Sequence, residues 1–147
     1  DLPLKPAPNP NASSASNTLL GPVISPLQMA LPAAALSNGG EMPAPRLVTA
    51  IHTPEAGWVA LPAGEGQRIF STLAANETAR ALAIPSLPIW EAVSEIRAGR
   101  QNYAWYLSGT LPDWPGTPLA LALVVENSDA VIARFLGQQL MDSALNP

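Results

Sequence analysis

The chain has 147 residues, 48% of them hydrophobic and only 12% charged, with a formal net charge of -4. That is apolar material enough for a core in one domain, and it excludes a wholly disordered chain. It also excludes a nucleic-acid binder built on a basic stripe, and the absence of cysteine removes disulfide frameworks, thiol catalysis and thiolate zinc sites.

Proline is the departure from ordinary usage, at 17 residues where ~5% of a chain is usual. Asp1 to Thr18 carries Pro3, Pro6, Pro8 and Pro10 and then a run of Asn, Ala and Ser. Residues 1–20 therefore read as an extended arm or linker, with no apolar stripe to order it until a partner supplies one. The chain opens on Asp1 with no basic segment before an apolar run, so it reads as a processed chain or a piece of a longer one.

Ser25-Pro26-Leu27-Gln28 has the spacing of a capping box with proline at the first helical position, and it predicts a helix from Pro26 to about Leu36. Asn38-Gly39-Gly40 would end that helix, and Pro32 should kink it. Arg46 to His52 has the β-branched content of a strand, paired across the turn Thr53 to Gly57 with Gly57 to Leu61. A second helix is expected from Ser71 to Ala83, stopped by Pro85 and Pro88, with Leu73, Ala79 and Leu82 as its apolar residues. Three strands follow, Glu91 to Ala98, Asn102 to Ser108 and Leu119 to Glu126. The last reads as a central strand covered on both faces. A final helix begins at Asn127 or Ser128 and sets Val131, Ile132, Phe135, Leu136 and Leu140 in one stripe that should pack on the sheet. Short connections favour antiparallel neighbours, so the fold class is α/β, a mostly antiparallel sheet with packed helices. No stretch reaches the ~20 apolar residues of a membrane span, since Leu19 to Leu36 is broken by Pro22, Pro26 and Pro32.

Gly21-Pro-Val-Ile-Ser-Pro-Leu-Gln-Met-Ala30, then Ala35-Leu-Ser-Asn-Gly-Gly40 and Pro45-Arg-Leu-Val48, resembles the segment after the active-site region of penicillin-binding transpeptidase domains. Tyr103-Ala104-Trp105-Tyr106 looks like the family's Ala-Trp-Phe strand, Leu121 to Asn127 like its Val-Val-Val-Glu-Asn strand, and Asp129 onward like its closing helix. The resemblance makes residues 21–147 a partial transpeptidase-like domain, the C-terminal part of such a fold. It implies an extracytoplasmic protein, held at the membrane through a segment outside this chain or through a partner. It also implies serine acyl transfer on D-alanyl-D-alanine stems of peptidoglycan, with no cofactor or metal, through Ser-x-x-Lys, Ser-x-Asn and Lys-Thr-Gly motifs.

This chain departs from that machinery. Its single lysine, Lys5, is three positions from Leu2 and is followed by Pro6-Ala7. Neither Ser-x-x-Lys nor Lys-Thr-Gly is present, and Trp90 to Arg97, where the latter motif belongs, reads Trp-Glu-Ala-Val-Ser-Glu-Ile-Arg. The catalytic set is therefore empty, with Ser94 and Arg97 the only substitutes for a hydroxyl and a cation, against their reading as solvent-facing strand residues. Two functions stand: a catalytically silent portion of a transpeptidase-like protein, or a non-enzymatic interaction subunit of a larger assembly. The expected partners are the upstream half of the same protein, other subunits, or a peptidoglycan stem peptide. His52 reads as an edge histidine, and Ser108-Gly109-Thr110 as the turn into Leu111-Pro112. Trp90, Trp105 and Trp114 read as packing residues, with a glycan or peptide groove as the other possibility.

Overall fold

The computed structural model describes residues 24–146, so the expected arm, residues 1–20, lies outside the described residues. Helix α1 (Pro26–Ser37) starts as its sequence dictates. The Ser25 hydroxyl accepts from the Gln28 amide at 3.2 Å, and the Ser25 amide donates to the Gln28 side chain at 2.9 Å. The helix runs through Pro32 without a break and closes at Asn38, whose amide donates to the Ala34 carbonyl. Gly40 then takes a φ of +93° directly against the Phe70 carbonyl, a path no side chain could share.

Two short pairings follow. Strand β1 (Glu41–Met42) pairs antiparallel with β4 (Gln67–Arg68), a ladder too brief to leave a sequence signal. Strands β2 (Ala50–Thr53) and β3 (Gly57–Ala60) form the expected hairpin, with Ala50 opposite Ala60 and Thr53 opposite Gly57. The first strand starts at Ala50 rather than Arg46. One further bond, from the Leu61 amide to the Thr49 carbonyl, extends the ladder by one pair.

Helix α2 (Thr72–Ala81) is capped by Ser71, whose hydroxyl accepts from the Ala74 amide. It ends two residues short of the expected Ala83 because the chain turns onto the edge of the next strand, bridging Ala83 to Trp90. Its buried residues are Ala75 and Ala79, while Leu73 faces solvent. Small residues on that face let α2 lie close to α1, with Ala33 and Ala79 meeting in one cluster.

The main sheet has the order β5 (Ile89–Ala98), β6 (Gln101–Thr110), β7 (Ala120–Glu126), all antiparallel. Ser108, Gly109 and Thr110 therefore lie in strand β6, opposite Glu91, Trp90 and Ile89, and not in a turn. Ser108 is fully buried with its hydroxyl donating to the Trp90 carbonyl at 2.7 Å. Strand β7 is at the edge of this sheet and not at its centre, which belongs to β6. The expected cover on both faces is present and accounts for its near-continuous apolar run: α1 packs on one face of β7 and α3 (Ala130–Leu145) on the other.

Alternation along the strands separates two cores. On one face, fully buried Trp90 meets Ala33, Ala79, Leu36, Leu107 and Ala120 beneath α1 and α2. On the other, Ala104 and Tyr106 meet Ala133 beneath α3, with Val93, Leu121, Leu123 and Val125 around them. The stripe expected to face the sheet does not. Val131 is 75% exposed and Phe135 60%, with Ile132, Leu136 and Leu140 also turned outward, whereas Ala133, Gly137 and Met141 are buried. The cause is Tyr106, whose ring fills the space a side chain at Gly137 would need, so the small-residue face is the one that fits.

Candidate functional site

The strand that the sequence singles out, β5, forms one edge of the sheet, and its neighbours decide what it can do. At its start Trp90 is locked in place. The indole N–H donates to the Ser37 hydroxyl at 2.9 Å inside the core, and Gly109, on the paired strand, leaves the space for that contact. One residue on, Glu91 points to the opposite face and is held by α3. Its carboxylate takes Arg134 Nε at 3.0 Å and the Gln138 side-chain amide at 3.1 Å. Further along, Glu95 accepts from the Ala130 amide at 2.6 Å, adding a second carboxylate to the α3 N-terminus that Asp129 already caps.

The two substitutes for missing chemistry do not converge. Ser94 and Arg97 are three residues apart on one strand, so their side chains emerge on opposite faces, and both are exposed. Ser94 sits opposite Trp105. Arg97 donates from Nε to the Asn102 side-chain oxygen at 3.1 Å. Among the described residues no base stands in hydrogen-bond contact with Ser94.

Tyr106 is the titrating group that burial perturbs. Loss of water around its phenol raises the pKa above the ordinary value, with the Glu91 charge adding to the effect and the Ser108 hydroxyl and Arg134 opposing it. The hydroxyl is buried without a hydrogen-bond partner of good geometry, although Ser108 and Glu91 lie near it. A phenol held neutral in this way is a poor base and a poor nucleophile at neutral pH.

The other residues raised by the sequence are spread apart. His52 lies near the end of β2, stacked edge-on against Trp58 of β3 with ring centroids 5.4 Å apart. Trp90 is core, while Trp105 and Trp114 are half-buried. Among the described residues no group of three or more His, Asp or Glu side chains is placed to hold a metal ion. Nor is any helix there long and apolar enough to cross a membrane. The clamp from Glu91 to Arg134 and Gln138 carries no sequence signal beyond an acidic residue in an apolar strand and a basic one in an apolar helix, far apart in the chain.

This order of elements, a capped helix, a projecting hairpin, a short helix, three antiparallel strands and a closing helix on the sheet's other face, has solved counterparts. The chain superposes on the D,D-transpeptidase domain of a peptidoglycan glycosyltransferase from Eggerthella lenta with a TM-score of 0.70 and 19% identity, over 86% of this chain and 33% of that one. The fold is that of part of a penicillin-binding transpeptidase domain. Penicillin-binding protein 3 from Mycobacterium tuberculosis gives a TM-score of 0.66 at 15% identity, over 87% of this chain and 37% of its own. The same protein complexed with aztreonam gives 0.63 at 15% identity, over 84% of this chain and 36% of its own. The chain thus spans about a third of the length of these transpeptidase-fold structures. No protein-family model and no curated protein matches the sequence.

Proposed function

We propose that this chain is the C-terminal portion of a penicillin-binding transpeptidase-like protein of the peptidoglycan cross-linking class, extracytoplasmic and catalytically silent by itself. What carries the reading is the pairing of a transpeptidase fold with a β5 that offers no acyl-transfer chemistry. Trp90 is consumed by the core, Glu91 by Arg134 and Gln138, and Glu95 by the α3 N-terminus. Acyl transfer requires a nucleophile beside a base and a cation free to hold the substrate carboxylate. The single lysine of the sequence is Lys5, outside the described residues, and among the described residues no base is hydrogen-bonded to Ser94.

A second reading, a non-enzymatic interaction subunit, is favoured by the outward apolar stripe of α3, which is broad enough to call for a covering protein surface. In both readings the upstream part of the same protein or another subunit supplies that cover, and membrane association comes through it. A peptidoglycan stem peptide is the small ligand that the fold suggests.

The test is chemical. Incubation of the purified chain with a fluorescent penicillin should leave its intact mass unchanged, and a D-alanyl-D-alanine peptide should survive unhydrolysed. A stoichiometric adduct on any serine, Ser94 and Ser108 included, would overturn the silent-site reading.

A further inference from the structure

The outer edge of β5 is divided in two by the chain itself. The Ile89 carbonyl accepts from the Ile84 amide at 3.0 Å and the Glu91 amide donates to the Leu82 carbonyl at 3.1 Å, so the edge is covered as far as Glu91. The two-residue period of a strand carries the same outward set of amides and carbonyls on to Val93, Glu95 and Arg97. Among the described residues nothing pairs with these three, and the turn at Gly99, φ +63°, bounds the open stretch at its other end.

We propose that this stretch is a homodimer interface, to which a second copy of the chain adds antiparallel across a twofold axis at Ile96. An open strand edge is a template for another strand, and twofold symmetry makes the same patch serve both copies. The register follows from charge. In an antiparallel ladder outward residues must face outward residues, so the axis falls on a residue and not between two. An axis at Glu95 sets carboxylate against carboxylate, and one at Arg97 sets guanidinium against guanidinium. An axis at Ser94 would bring Arg97 opposite the partner's Glu91, whose edge Leu82 already occupies. Only an axis at Ile96 opposes Glu95 to the partner's Arg97, and Arg97 to the partner's Glu95, inside the open stretch.

The side chains fit that register. Ile96 is 53% exposed and would meet its symmetry mate as an apolar pair. Among the described residues Arg97 hydrogen-bonds only through Nε to Asn102, leaving its terminal nitrogens for a carboxylate; Glu95 holds the Ala130 amide through Oε1, leaving Oε2 for a guanidinium, and neither residue is in an ion pair there. The pairing stands independently of the transpeptidase reading, because a strand edge pairs whatever chemistry its fold once carried.

The sequence has no cysteine, so the axis can be read with one substitution in the full chain. Facing residues that do not exchange hydrogen bonds sit with Cα atoms about 4.5 Å apart in an antiparallel ladder, within disulfide reach. Under mild oxidation Ile96→Cys should give a covalent dimer at least about tenfold faster than Ser94→Cys, which faces the partner's Ala98 in this register. In the Ile96→Cys background, Arg97→Glu should abolish that advantage by facing carboxylates with carboxylates. Mixing it with Glu95→Arg, Ile96→Cys should restore it, because every opposed pair is then of unlike charge. Circular dichroism checks that each variant folds, since Glu95 also serves α3. If Glu95→Arg fails that check, the comparison of Ile96→Cys with Ser94→Cys and with Arg97→Glu decides alone. Equal cross-linking at positions 94 and 96, or cross-linking indifferent to Arg97→Glu, would overturn the proposal.

Discussion

Gly137 shows how one missing side chain sets the seating of a helix. In mid-helix, glycine costs ~0.8–1 kcal/mol relative to alanine, so alanine there would ordinarily stabilise. Here a Cβ would fall on the ring of Tyr106, which is itself fully buried against Ala104 and Ala133. Overpacking costs typically ~1–3 kcal/mol, which reverses the sign. Gly137→Ala should therefore lower stability by up to about 2 kcal/mol in urea unfolding, and a stabilised variant would show that α3 is not seated this closely. Tyr106 makes a second prediction, on pH. Burial holds its phenol neutral in the folded state beyond the pH, near 10, at which an unfolded tyrosine ionises. Its contribution is fully present below that pH and is lost as pH rises through the raised folded value. Tyr106→Phe removes this loss, so its urea midpoint should fall less than the parent's between pH 9 and pH 11 (about the range that brackets the ordinary phenol). Equal falls would show that the phenol is not perturbed by the fold.

At the scale of elements, α3 separates what an apolar pattern can and cannot tell. Its start falls later than Asn127 or Ser128, because Asp129 is the cap, accepting from the Ile132 amide at 2.9 Å, and the helix proper begins at Ala130. Its facing was not legible. Val131, Phe135 and Leu140 form a stronger stripe than Ala133, Gly137 and Met141, yet the weaker stripe is buried. Periodicity finds a face, and the shape of the surface opposite chooses between two. Replacing Val131 by Lys and Phe135 by Gln should accordingly shift folding stability by no more than about 0.5 kcal/mol, as for ordinary surface positions. The same pair should reduce binding of a hydrophobic dye to the isolated chain. A loss of several kcal/mol would place the stripe against the sheet after all. Strand β7 carries the same lesson, since cover on both faces gives an edge strand the apolar run of a central one.

For the molecule as a whole, the elements that local chemistry specifies were readable. Caps at Ser25 and Ser71, the Gly57 turn and the three main strands stand where their residues put them, within a few positions. Contacts between residues distant in the chain were not readable. The indole of Trp90 on Ser37 and the carboxylate of Glu91 on Arg134 exist only because the sheet and two helices bring them together. The candidate site was legible mainly as a subtraction: a strand in a familiar place without the familiar lysine. Its open edge needed the structure, because only the fold shows that residues 82–84 stop covering β5 at Glu91.

The seating of α1 on the last strand also bears on when this chain can fold. Ala33, near the beginning of the described residues, shares a cluster with Ala120 of β7, and the opposite face closes only with Ala133 of α3. Neither core is complete until β7 and α3 are present, and long-range closure of this kind is slow. A fold closed in this order leaves the apolar faces of α1 and of the sheet uncovered until α3 has been made, so a fragment that stops before Ala130 should be trapped as an uncovered sheet.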